Sequence, residues 1–348
     1  MREIDSSKPV AVTGGTGYIA SWLVSYLLDR GLKVKVSVRK LGDTARYEHL
    51  SKLAVGKKGK IEFHEGDLLK PGSFDELVKD CELVFHTASP FKIAEVSDFK
   101  SEVIKPALDG TRNLLASVNK AGTVKRVILT ASVASIYGDA ADILLRPGRI
   151  FRNTDWNSTS SEIHQPYSYS KTIAEREAWR IAGSQDKWDL ITIHPGFVMG
   201  PSLTGRKDST SIDFMISYMK GRFRFGTPDL WFGVVDVRDV AMAHVQAAFN
   251  PSAAGRYIAV GNSYSLTAIS TVFKSVTNGK YHVSPRKLPS LIFYVAGPLM
   301  GYTVKFVKKN IGIELAFDNS AAMKDLGLKF RPIDETIRDH VRQLEGLS

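Results

Sequence analysis

The residues best suited to chemistry are a tyrosine and a lysine in Tyr167-Ser168-Tyr169-Ser170-Lys171, opening a helical stretch that runs to Ala182. Spaced four apart, Tyr167 and Lys171 share one face of a helix. A phenol of pKa about 10 is a poor acid–base group at neutral pH, but an adjacent ammonium stabilises the phenolate and draws its pKa down. Two such residues on an exposed helix could be chance neighbours, so the pair gains meaning from its surroundings. Ser132 follows the strand-like run Val127 to Leu129, at the sheet edge where open α/β folds bind ligands. Its hydroxyl can hydrogen-bond a substrate oxygen as negative charge develops there. Ser135 is a second hydroxyl close by.

A glycine-rich turn gives these groups a context. The first apolar run leads directly into Thr13-Gly14-Gly15-Thr16-Gly17-Tyr18-Ile19-Ala20, and then into a helix with Ile19, Leu23 and Leu27 on its apolar face. Gly14 permits a tight turn and Gly17 lets backbone approach a pyrophosphate. The small Ala20 lets the helix pack closely with its N-terminus toward the phosphates. A strand, this turn and a helix at the start of an α/β pattern form a dinucleotide-binding loop. After the second run, where an NAD-binding chain places an acidic residue on the ribose, stand Arg39 and Lys40. A guanidinium there suits the 2′-phosphate of NADPH, and a carboxylate would repel it.

Further candidates follow the later strands. Asp67 and Leu68 are placed to hold an adenine, unless Asp67 is only a turn carboxylate. The small residues of His86-Thr87-Ala88-Ser89-Pro90 let backbone approach the middle of a cofactor. His86 itself reads as a packing residue, and no metal-ligand spacing surrounds it. Asn113 reads equally as the holder of a relay water or as a helix-packing amide.

The elements that must carry these residues are six short β-branched runs separated by amphipathic stretches: Val10 to Val12, Val34 to Val38, Ile61 to His64, Leu83 to His86, Val127 to Leu129 and Leu190 to Ile193. That alternation predicts a doubly wound parallel sheet. Ser73 with Glu76 predicts a capping box, and Gly122 and Gly183 stand at helix ends. After Pro195 the pattern is irregular until a helix over Val237 to Phe249 and a strand over Arg256 to Val260. The expected division is a nucleotide-binding domain of 1–195 plus 233–260, and a smaller, mostly helical substrate domain of 196–232 plus 261–348.

At 348 residues and 43% hydrophobic content, the chain can bury a substantial core. The single cysteine, Cys81, has no partner for an internal disulfide, and the N-terminus lacks the pattern of a secretory leader, so a cytoplasmic location is expected. The apolar stretch Leu291 to Val304 contains Gly297 and Pro298 and is shorter than the roughly 20 residues of a membrane span. It predicts a buried or lid-forming helical pair. The net charge of +11 is scattered, as in Lys57, Lys58 and Lys60 or Lys305, Lys308 and Lys309. Solvated faces explain it better than a nucleic-acid or membrane partner, and the excess helps attract an anionic cofactor.

On the strings TGGTGYIA, VSVRK, GDL at Asp67, HTASP, LTAS at Ser132, YSYSK, HPGFVMGP and DNSAAMKDLGLKFRP, the chain resembles the extended short-chain dehydrogenases. Within them it is most similar to the dihydroflavonol reductase-like branch, over nearly its whole length. The resemblance implies a Rossmann domain and an NADPH-dependent carbonyl reductase with Ser132, Tyr167 and Lys171 as its triad. Lys171 would also bind the nicotinamide ribose. It further implies cofactor contacts from Gly14, Gly15, Thr16, Gly17, Tyr18, Ile19, Arg39, Lys40, Asp67, Leu68, Thr87, Ala88, Ser89, Tyr167 and Lys171, with Pro195 and Val198 flanking the nicotinamide and Ser211 a looser match. Plant flavonoid reductases carry asparagine where this chain has Tyr137, and cinnamoyl-CoA reductases resemble NWYCYGK where it has QPYSYSK. Neither plant substrate is implied. Tyr137, packed against Phe232 or lining a pocket, and the aromatic segment Phe214 to Phe225 predict an apolar wall for a hydrophobic or aromatic carbonyl compound. A monomer and a homodimer are both open. The rivals are a nucleotide-sugar epimerase or dehydratase, which retains its NAD, and a non-enzymatic cofactor sensor, which tends to lose the tyrosine and lysine.

Overall fold

Strands buried on both faces read as unbroken apolar runs, and such runs, each followed by a turn and a helix, build the N-terminal two-thirds of the chain. In order these are β1 (Val10–Thr13), α1 (Tyr18–Asp29), β2 (Lys33–Val38), α2 (Glu48–Ala54), β3 (Lys60–Glu65), α3 (Asp75–Val78), β4 (Leu83–His86), α4 (Lys105–Ala121), β5 (Arg126–Thr130), α5 (Pro166–Ala182) and β6 (Asp189–Pro195). The remainder comprises β7 (Phe197–Met199), α6 (Thr210–Met219), β8 (Trp231–Asp236), α7 (Val237–Phe249), β9 (Gly255–Ala259), β10 (Asn262–Ser265), α8 (Leu266–Val276), α9 (Ser290–Ala296), α10 (Val304–Asn310), α11 (Ser320–Asp325) and α12 (Ile333–Leu344). This computed structural model describes residues 3–89, 98–204, 209–297 and 303–346. Pro90 and Pro298 lie outside the described residues.

Seven strands form one parallel sheet in the order β3-β2-β1-β4-β5-β6-β9. The winding reverses between β1 and β4, which opens a crevice at their C-terminal ends. Leu23, Leu27, Val34, Val36, Ala243 and Ala247 pack one face, beneath α1 and α7. Leu77, Leu114, Val118, Val127, Ala178 and Leu190 pack the other, beneath α4 and α5. Truncating one such buried leucine to alanine costs about 2–5 kcal/mol. The sheet is therefore a rigid platform for whatever its edge carries.

Three features depart from the sequence expectations. The irregular stretch after Pro195 contains a second sheet, in the order β10-β8-β7, with β8 antiparallel to β10 and parallel to β7. Strands of three to six residues gain their conformation from partners rather than from local pattern, so the alternation that reveals longer strands was missing. The Ser73–Glu76 capping box does not form: α3 starts at Asp75, and the Ser73 hydroxyl donates to the Asp67 carbonyl at 2.7 Å. Finally, on α9 Leu291 and Val295 are 71% and 74% exposed while Phe293 is buried, so the start of the apolar stretch is only partly buried.

Candidate active site

The β1–α1 turn is held by its neighbours rather than by glycine alone. Gly14 adopts φ +65°, and a Cβ there would meet the Ala88 Cα at 2.8 Å. A Cβ on Gly15 would overlap Val36, and one on Gly17 would crowd the Gly14 carbonyl at 3.1 Å. Ala20 is buried. The hydroxyl of Thr13 contacts His86 Nδ1 at 2.8 Å and accepts from Ala88 N at 3.2 Å, and the Thr87 hydroxyl donates to the Thr13 carbonyl at 2.5 Å. Ends of β1 and β4 are thus stitched together. Burial, with Lys171 nearby, lowers the His86 pKa to about 3, so His86 is a neutral packing residue, as its sequence context implied.

Around this turn stand the other cofactor candidates. Thr16 and Ile19 belong to the turn and the first turn of α1. The Tyr18 hydroxyl donates to the Gly200 carbonyl at 2.5 Å, tying α1 to the segment after β7. Arg39 and Lys40 are exposed just past β2, and among the described residues neither is ion-paired with a carboxylate. Asp67 Oδ1 caps its own turn by accepting from Leu69 N at 2.9 Å. Asn113 donates to the Leu68 carbonyl at 2.7 Å, so its amide fixes that turn. Pro195 ends β6, Val198 lies in β7, and Ser211 is buried in the first turn of α6.

The three chemical residues come from two elements. Pro166 starts α5 as its first helical residue, where its fixed φ is favourable and its missing N–H is not needed. Tyr167 and Lys171 follow one turn apart. Ser132 begins the 3-10 turn Val133–Ser135 beyond β5, and its hydroxyl accepts from Ala134 N at 3.1 Å. Its own proton remains available to Tyr167, with which it is hydrogen-bonded. Lys171 Nζ donates to Ser89 Oγ at 3.0 Å and lies 5.8 Å from the Tyr167 ring centre. Ser89 follows Ala88, which packs on Gly14. The triad candidates and the glycine turn therefore meet through Ser89.

Electrostatics here differ from the sequence argument. Burial raises the Tyr167 phenol to about 12, and the group opposing that rise is the Ser132 hydroxyl rather than Lys171. Burial also lowers Lys171 to about 8. Lys171 Nζ is held by Ser89, and its charge is not among the groups that shift the phenol.

Residues 10–261 match the NAD dependent epimerase/dehydratase family. The chain belongs to that family. Among curated members, it is 33% identical to cinnamoyl-CoA reductase CAD2 of Medicago truncatula, over 97% of this chain and 95% of the relative. It is also 33% identical to tetraketide alpha-pyrone reductase 1 of Arabidopsis thaliana, over 96% and 94%. Against dihydroflavonol 4-reductase of Gerbera hybrida it is 30% identical, over 83% and 77%, in agreement with the dihydroflavonol reductase-like branch indicated by its motifs. The Gre2–NADPH complex from Candida albicans superposes with a TM-score of 0.79 at 28% identity, over 97% of this chain and 99% of that one.

Two expectations about the aromatic residues are corrected in this epimerase/dehydratase family member. Tyr137 does not pack on Phe232; it stacks on Phe151 with centroids 4.7 Å apart and meets Phe317 at 5.8 Å. Phe232 packs on Phe197 at 5.3 Å, in the core that also holds Phe214, Tyr218 and Phe223, while Phe225 is 71% exposed. The segment from Phe214 to Phe225 is therefore mostly second-layer core rather than a pocket wall. Sequence reading also missed Glu175, buried beneath the site. Its place one turn beyond Lys171, on the stripe of Tyr167 and Lys171, was the available signal. Among the described residues no cluster could hold a metal ion, and no helix is long and apolar enough to cross a membrane.

Proposed function

We propose that this chain is an NADPH-dependent carbonyl reductase acting on a small aldehyde or ketone, and that Ser132, Tyr167 and Lys171 carry the reaction. The observation that carries the proposal is the convergence of these residues beside the β1–α1 turn: Tyr167 bonded to Ser132, Lys171 bonded to Ser89, and Ala88 packed on Gly14. The residues present fit the cofactor. The glycine turn at the N-terminus of α1 suits a pyrophosphate, and Arg39 and Lys40, ion-paired with no carboxylate among the described residues, suit a 2′-phosphate. Backbone of Thr87, Ala88 and Ser89 would border its middle, and Lys171 its ribose. When bound, NADPH supplies the hydride.

Ser132 orients the carbonyl oxygen, Tyr167 gives it the proton, and Lys171 moves from Ser89 toward the ribose and the phenolate. We assign residues 1–195 with 233–260 to the cofactor half and 196–232 with 261–348 to the substrate half. β9 and α7 lie with the large sheet, in keeping with that division, although the boundary at 232 cuts through β8. A hydrophobic or aromatic substrate is proposed from Tyr137, which borders the Ser132 turn with Phe151 and Phe317 behind it.

The family name favours a second reading, a nucleotide-sugar epimerase or dehydratase. Arg39 and Lys40 argue against it, since such enzymes retain NAD. The deciding assay follows oxidation of NADPH, and separately NADH, with aryl ketones, diketones, aliphatic aldehydes and nucleotide sugars. Turnover of a ketone or aldehyde with NADPH is expected. Conversion of a nucleotide sugar without net cofactor oxidation would overturn the proposal.

A further inference from the structure

Glu175 is 1% exposed, yet six polar contacts converge on it. Oε1 accepts from Arg256 Nε at 2.8 Å, His194 Nε2 at 2.9 Å, Thr192 Oγ1 at 3.2 Å and Trp179 Nε1 at 3.2 Å. Oε2 accepts from Ser135 Oγ at 2.5 Å and Arg256 Nη2 at 3.2 Å. Burial alone would raise this carboxyl, but His194 and Arg256 outweigh it and hold it well below the usual carboxylate range. Arg256 would suffice to neutralise a structural carboxylate. The Ser135 contact needs another explanation.

The hydroxyl of Ser135 has one proton between two acceptors, Glu175 Oε2 and, at 2.7 Å, the carbonyl of Ser132. Ser135 N also donates to that carbonyl, at 3.0 Å. Ser132 in turn presents its hydroxyl to Tyr167. Because Tyr167, Lys171 and Glu175 recur every four residues along α5, the helix that carries the phenol also carries the carboxylate gripping the serine's turn.

We propose that Glu175 is a positioning residue for the reaction: acting through the Ser135 hydroxyl, it fixes where Ser132 stands against Tyr167. This rests on the reading of Ser132 and Tyr167 as the groups that meet the carbonyl oxygen. The link adds to the Thr172 contact with the Ala134 carbonyl in joining α5 to the Ser132 turn, and alignment in a reacting complex is lost on a scale of fractions of an ångström.

Ser135→Ala is the decisive variant, because Glu175 then keeps Arg256 and His194, whereas Glu175→Gln strands Arg256 in the interior. On the full chain one would measure NADPH binding by fluorescence, the melting temperature, and kcat and KM against pH for a carbonyl compound that the parent reduces. The expected result is a fall in kcat of about 10-fold or more, with NADPH affinity within about 2-fold of the parent. The alkaline limb of the kcat profile should move upward, because a phenol whose phenolate is less well hydrogen-bonded by Ser132 ionises at higher pH. Trp179→Phe removes another donor to the same carboxylate without touching Ser135, and should keep kcat within about 2-fold. Parental kcat and pH profile in Ser135→Ala, or an equal loss in Trp179→Phe, would overturn the proposal. An active Tyr167→Phe would instead sink the underlying reading. An inactive Tyr167→Phe beside a fully active Ser135→Ala would sink only the role of Glu175.

Discussion

Replacing Lys171 by methionine should make the cofactor-free protein slightly more stable while destroying its turnover. Burial lowers the lysine from its ordinary 10.5 to about 8, which means the folded state holds its charge reluctantly. At about 1.4 kcal/mol per pH unit, the shift represents on the order of 3 kcal/mol. The side chain is partly exposed, so solvent screening reduces this to roughly half. Losing the hydrogen bond to Ser89 gives back about 0.5–1 kcal/mol, for a net gain of about 1 kcal/mol at pH 7. With about 2.1 cal/mol/K per residue of unfolding entropy, that is a rise of roughly 1–2 °C in melting temperature. The sign follows from linkage: below pH 8 lysine is charged in both states and the penalty is present in full. Between pH 8 and 10.5 the folded state releases its proton first, so the penalty fades. The advantage of Lys171→Met should therefore shrink through that window and reverse above it, where only the lost Ser89 bond remains. Calorimetry or denaturant melts of both proteins from pH 7 to 11 test this. A variant less stable than its parent at pH 7, or a difference that ignores pH, would refute the reasoning.

Other substitutions probe the rest of the site. Tyr167→Phe should lower kcat by about 100-fold or more while NADPH binding by fluorescence stays near the parental value, since it removes the transferable proton and little volume. Arg39→Asp should shift the NADPH over NADH preference in kcat/KM by about 10-fold or more toward NADH, by placing a carboxylate where a 2′-phosphate would sit. Tyr137→Ala should raise KM for an aryl ketone by roughly 10-fold and leave a small hydrophilic aldehyde unchanged, because the lost surface is the ring stacked on Phe151. Equal effects on both substrates would remove Tyr137 from the pocket.

Much of this molecule was legible from local pattern. Central strands of the large sheet such as β1 and β4 are nearly contiguous apolar runs because both faces are covered, while β2 and the edge strand β3 interleave polar residues, and the helix from Val237 to Phe249 was visible from its own periodicity. The glycine turn and the Tyr167–Lys171 pair are equally local as patterns: each is spelled within eight residues or fewer, although distant neighbours such as Ala88 and Val36 hold the turn in place. What required the tertiary structure is what depends on partners far along the chain. The three-stranded sheet exists because Phe197 finds Val234, and Phe232 finds Tyr264, and none of those segments alternates long enough to declare itself. Tyr137 could be assigned to a pocket from its place near Ser132, but only folding brings Phe317 against it and leaves Phe232 in another core. Lys171 was expected to serve the phenol; three-dimensional placement gives its ammonium to Ser89, and burial then decides both pKa shifts. Residue type and spacing determined which groups could do chemistry here. Their charges and alignment were decided by desolvation and by hydrogen bonds such as Arg256 to Glu175, which short-range periodicity does not encode.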